Sequence, residues 1–132
     1  MRGMKLFAAL LLFSAAPALA AQGPARGRIE EPRDPILETQ AKHNLQVGRW
    51  YLTKKKAYEG ARDRFQEIMD TYPEFSRMDE VLFLMGETHE GLKKPEKAVE
   101  YYEKLLKDFP ESEFAKKTKE RLEKLKPEAV KG

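Results

Sequence analysis

The strongest constraint on this chain is that part of it occurs twice. Ala61, Phe65, Ile68, Tyr72 and Pro73 return as Ala98, Tyr102, Leu105, Phe109 and Pro110, each 37 positions further on. Upstream, Gly48 and Tyr51 return as Gly86 and His89 with an offset of 38. A small residue, an aromatic four positions later and a closing proline, used twice, describe one supersecondary unit that buries its face against the next copy. The extra residue in the second offset is expected in the first internal turn.

Within each unit the apolar residues keep only the helical period. Leu37, Ala41, Leu45, Gly48, Tyr51 and Leu52 fall on one side of a first helix, and Asp34-Pro35 supplies its cap and first turn. Lys54-Lys55-Lys56 is expected to form the turn that follows. Tyr58, Ala61, Phe65, Ile68 and Met69 define a second helix, which ends before Pro73 because the residue ahead of a proline resists the helical conformation. Ser76 and Asp79 have the spacing of a capping box and open a third helix, with Leu82, Met85 and His89 inward and Gly91 at its end. A fourth runs from Pro95 to just before Pro110 with Ala98, Val99, Tyr102, Leu105 and Leu106 inward. A fifth is capped by Ser112, carries Phe114, Ala115, Leu122 and Leu125, and closes at Pro127. No segment alternates with period two, so the expected fold is all-α.

The 132 residues hold one small domain. Residues 1–20 read as a cleaved export signal: Arg2 and Lys5, then the apolar run Leu6 to Phe13, then Ala18-Leu19-Ala20. That run is too short to span about 30 Å of hydrocarbon, so no membrane span is expected after cleavage. Residues 21–35 carry three prolines and two glycines with little apolar surface and are expected to form a flexible leader. The repeat domain covers 36–126, and 127–132 form a tail. The formal charge of +3 shrinks to 23 basic against 22 acidic residues once Arg2 and Lys5 are set aside, which leaves no basic excess for nucleic acid. The absence of cysteine excludes disulfides, thiolate metal sites, thiol nucleophiles and lipidation through cysteine.

These helical hairpins resemble the tetratricopeptide repeat. Leu82, Met85, Gly86, His89, Ala98, Tyr102, Leu105 and Pro110 carry the likeness in the second unit, and Val47, Gly48, Tyr51, Ala61, Phe65 and Pro73 in the first, where Asn44 replaces the usual aromatic. The resemblance implies about two and a half repeats, five helices in a short right-handed solenoid. The 37-residue period exceeds the usual 34. The added residues follow each proline, in Pro73-Glu74-Phe75-Ser76 and in Pro110-Glu111-Ser112-Glu113-Phe114-Ala115. With that spacing and the closing FPESEFAKKTKERLEKL, residues 36–126 resemble the periplasmic outer-membrane assembly lipoprotein family (BamD), in a shorter form without the lipidation cysteine. They are also similar to the periplasmic protein that coordinates peptidoglycan synthesis with envelope constriction (CpoB).

Catalytic groups do not converge in the sequence. His89-Glu90 begins a zinc-protease-like string, but Lys93 stands where the second histidine would be, and His89 occupies a repeat position normally held by a packed tyrosine. His43 has no carboxylate three or four residues away. No enzyme activity, cofactor or metal is expected, and a small hydrolase is the least favoured reading. Lys54-Lys55-Lys56 falls short of the four to eight basic residues that anionic lipid requires. The lysine-rich fifth helix reads as a polar cap on the stack.

What remains is protein or peptide binding. The family's ligand-facing positions transfer to Lys42, Leu45, Arg49 and Leu52 in the first unit and to Glu80, Phe83, Glu87 and Glu90 in the second. The resemblance implies a concave groove, basic on one side, acidic on the other and apolar between; Phe83, next to the inward Leu82, is expected to point away from that packed face, and the competing reading makes Leu45, Leu52 and Phe83 ordinary core. The first helix leaves Trp50 and Leu52 with no preceding repeat to cover them, so docking through this helix, onto another subunit or a second copy, is expected. The expected setting is an exported, periplasmic binding module in outer-membrane assembly. A peptidoglycan or division scaffold and a self-assembling structural subunit are the alternatives.

Overall fold

The computed structural model describes residues 32–130, with side chains to Pro127; the expected export signal and the leader as far as residue 31 lie outside the described residues. Five α-helices follow one another: α1 (Pro35–Trp50), α2 (Tyr58–Thr71), α3 (Met78–Gly91), α4 (Pro95–Asp108) and α5 (Ala115–Val130). No strand occurs among the described residues. Helix α1 pairs with α2 and α3 with α4, the two hairpins stack through α2 and α3, and α5 lies on α4 as an unpaired fifth helix. This is the helical repeat stack that the sequence period demands.

The glycines hold each hairpin closed. A Cβ built on Gly48 would overlap the Phe65 ring, and one on Gly86 would overlap the ring of Tyr102. Phe65 and Tyr102 are repeat equivalents, so the same interlock is used twice. Ala61 and Ala98, one turn before those rings, are wholly buried. Gly91 makes a third close approach, to Tyr58, and joins one hairpin to the next. Around these contacts Ile68, Val81, Leu82, Met85 and Leu105 are fully buried. Asp34 caps α1 as expected, its carboxylate accepting from the amides of Ile36 at 2.8 Å and Leu37 at 3.2 Å.

The extra residue of the first unit is not in the turn. Lys54 and Lys55 belong to a π-helical turn, Tyr51–Lys55, that continues α1. Only Lys56 leaves the helix, in the left-handed region at φ 50°, as Lys93 does at φ 59° after α3. In the second unit the amide of Lys94 donates to His89 O at 2.9 Å, a Schellman closure; in the first the amide of Ala57 donates to Tyr51 O at 2.9 Å, one residue further along. The helix absorbs the inserted residue by widening its last turn, and both units then resume in register.

Three boundaries differ from the sequence reading. Helix α3 starts at Met78 with no side-chain cap, because Ser76 donates instead to Glu38 of α1. Ser112 accepts from the amide of Phe114 at 3.1 Å, but it shapes a turn ahead of α5, which begins three residues later. That turn, with Ser112 N to Phe109 O and Ala115 N to Ser112 O, repeats Phe75 N to Tyr72 O and Met78 N to Phe75 O of the first unit. Pro127 lies inside α5, which runs on to Val130. Proline forfeits one backbone bond there, but its fixed φ is helical.

The interlock makes a specific prediction. Gly86→Ala should lower the unfolding free energy by about 1–3 kcal/mol, as overpacking of a filled core does. Gly60→Ala, whose Cβ would meet Tyr51 at an ordinary 3.6 Å, should leave stability unchanged or raise it by up to about 1 kcal/mol. Urea unfolding of the two variants checks the contrast.

Candidate functional site

The alternate helices α1, α3 and α5 are linked side chain to side chain across one side of the stack. Glu80 of α3 forms ion pairs with Arg49 of α1 and with Arg77 just ahead of α3. Further along α3, Arg121 of α5 reaches Glu90 at 3.3 Å and Glu87 at 3.5 Å, and Lys117 stands 4.0 Å from Glu87. The Tyr102 hydroxyl donates to the second oxygen of Glu90 at 2.5 Å.

The two signs of charge lie at different depths. The Glu80 side chain is 4% exposed, whereas those of Arg49 and Arg77 are 41% and 46% exposed. Glu87 is 24% exposed against 59% for Lys117. Burial holds the Glu87 carboxyl above its usual range, although Lys117 and Arg121 pull it down. Burial, with the bond to Glu90, likewise pushes the Tyr102 phenol up. Burial and the neighbouring Arg77 draw the Arg49 pKa down. The acids are held inside, and the cations that neutralise them face water.

This arrangement revises the expected groove. Lys42 is exposed, two turns before Arg49 on the same side of α1, and Arg49, Glu87 and Glu90 are partly exposed. Leu45, Leu52, Phe83 and Glu80 are buried. Phe83 does not point away from the packed face. Its ring stacks on Phe114 at 5.2 Å and tilts against Tyr102 at 5.8 Å, with the Lys117 ammonium 5.0 Å above it. Helix α3 is enclosed on more than one side, so adjacency to the buried Leu82 does not turn Phe83 outward. The surface has no apolar floor; Leu45 and Leu52 are core, and the acidic side lies beneath the cations. Arg77, Lys117 and Arg121 complete the exposed row. Lys117 and Arg121, one turn apart, were the available signal, read only as part of a polar cap.

His89 is a packing residue. It is buried, it stacks on Tyr101 with centroids 5.0 Å apart, and its Nδ1 lies 2.8 Å from Met85 O. A carbonyl only accepts, so Nδ1 carries the proton. No group of three or more metal-ligating side chains occurs among the described residues, and none of their helices is long and apolar enough to cross a membrane.

Against this geometry stand the comparisons with known proteins. The tetratricopeptide repeat matches residues 80–112, which span most of α3, all of α4 and the turn after it. No curated protein matches the chain. The match places one tetratricopeptide repeat within an all-helical hairpin stack, an architecture whose stacked helices present extended binding surfaces.

The burial of His89 fixes a pH dependence. Desolvation leads in holding its pKa below the usual 6.5, against the bond to Met85 O, with Lys94, Arg62 and Lys97 adding to the depression. As pH falls, the unfolded chain takes up this proton first, so stability is full above about 6.5 and declines below it. The melting temperature should fall between pH 7 and 5 more steeply in the native chain than in His89→Phe. Parallel pH profiles would contradict the assignment.

Proposed function

We propose that the protein is a non-enzymatic binding module of the bacterial cell envelope, linked to outer-membrane protein assembly, and that it holds an acidic protein segment against the face made by α1, α3 and α5. The observation that carries the binding reading is the layering of charge on that face. A carboxylate approaching it meets Arg49, Arg77, Lys117 and Arg121, all more than a third exposed, before it meets Glu80, Glu87 or Glu90. Arginines already oriented by deeper-lying carboxylates bind a further anion with little loss of side-chain freedom. The tetratricopeptide match supports a protein as the occupant.

Two sequence features support the setting. Residues 1–20 have the pattern of an export signal, and the repeat with its 37-residue period and closing helix resembles envelope assembly proteins.

Crosslinking in intact cells, combined with fractionation, tests both parts. The chain is expected outside the cytoplasm, attached to an outer-membrane assembly protein. Lys42→Glu combined with Lys117→Glu should reduce the attachment at least tenfold while far-ultraviolet circular dichroism still shows the helical fold, with some loss of melting temperature from the Glu87 contact. A cytoplasmic location would overturn the envelope setting. Attachment insensitive to the charge reversal would overturn the assigned face, and attachment to peptidoglycan or division proteins would replace the assembly role.

A further inference from the structure

The two ends of the stack are finished differently. Helix α5 lies on α4 through Ala115, Thr118, Leu122 and Leu125, all buried. The equivalent stripe of α3, 37 residues earlier, is Met78, Val81, Met85 and Thr88, again buried, where α3 meets α2. On α1, by the 38-residue offset, that stripe is Gln40, His43, Val47 and Trp50, and no helix among the described residues covers it. Ile36 extends it by one turn. Ile36 is 68% exposed and Trp50 49%, and they are the exposed large hydrophobic residues among those described.

The far end offers no such surface. The positions of α5 equivalent to the buried Leu82, Gly86 and His89 are Lys119, Glu123 and Lys126, all exposed. Head-to-tail stacking would therefore set the uncharged stripe of one copy, with Ile36 and Trp50 at its ends, against charge, and an open filament is disfavoured.

We propose that a second copy of the chain covers the stripe, the two α1 helices lying antiparallel across a two-fold axis at His43. The spacing of the stripe carries this choice of occupant. Ile36 and Trp50 lie seven residues either side of His43, so an antiparallel pair sets each Ile36 against the Trp50 of the other copy. Gln40 then faces Val47 to within one residue. The contact is isologous: one patch satisfies both subunits. Charge is compatible too. Although 36% of the chain is Asp, Glu, Lys or Arg, none of these types occurs in the stripe itself; Lys42 and Arg49 flank it at the rim. Lys55, 5.0 Å above the Trp50 ring, covers that ring in part and stays at the rim. The seam is about 21 Å long at 1.5 Å per residue, which places the dimer among small, weak interfaces.

The test uses the protein as purified from its producing cells, by sedimentation equilibrium from micromolar to millimolar concentration. Association to twice the monomer mass is expected, with a blue shift of the single tryptophan over the same range. Trp50→Lys and Ile36→Lys should each abolish the doubling at unchanged helicity. Because the chain has no cysteine, register can be read by disulfide formation with diamide. A mixture of Ile36→Cys and Trp50→Cys chains should give the mixed disulfide in preference to either symmetric one, and His43→Cys alone should crosslink to itself. A single monomeric species at millimolar concentration would overturn the proposal. So would a dimer unaffected by both lysine variants, or preferential symmetric crosslinking of Ile36→Cys.

Discussion

Everything in this fold depends on the absence of a side chain at two places. At Gly48 and Gly86 an aromatic ring from the paired helix occupies the volume that a Cβ would take. The ring closes each hairpin, and the closed hairpin gives the next helix a continuous surface to lie on. Glycine in mid-helix is unfavourable by about 1 kcal/mol relative to alanine, so its use twice at equivalent positions shows that packing outweighs propensity there. Gly91 against Tyr58 extends the device from within a hairpin to between hairpins.

The elements that this interlock requires were legible in the sequence, because glycine, alanine, aromatic and proline spacing is a local signal. Helix α1 begins, α2 ends, and α4 begins and ends where Asp34 and the prolines indicate. What was not legible depends on where each element finds its neighbours. One inserted residue is as compatible with a longer turn as with a π-helical turn, and only the retained positions of Lys56 and Lys93 distinguish the two. Ser76 has the spacing of a cap but is taken by Glu38, 38 residues away in sequence. Phe83 was expected outward because a one-sided helix was assumed, and α3 is not one-sided. The candidate site fared likewise: Lys42, Arg49, Glu87 and Glu90 reach the surface, but the depth ordering of acids and cations comes from bridges between α1, α3 and α5.

The two surfaces follow from the same architecture. A repeat stack presents the side of its first helices to one direction and leaves an end at each terminus. Along the side, deeper-lying acids, Glu80 buried and Glu87 and Glu90 partly so, orient outward cations. At the C-terminal end charge closes the stack, and at the N-terminal end an uncharged stripe remains open.

The most direct measurement of the central claim is a double-mutant cycle between Gly86 and Tyr102 by equilibrium unfolding. If the ring fills the place of the missing Cβ, alanine at position 86 should be much less damaging when Tyr102 is replaced by leucine, with a coupling of about 1 kcal/mol or more. Additive effects would show that the glycine and the ring do not interlock, and would contradict the account.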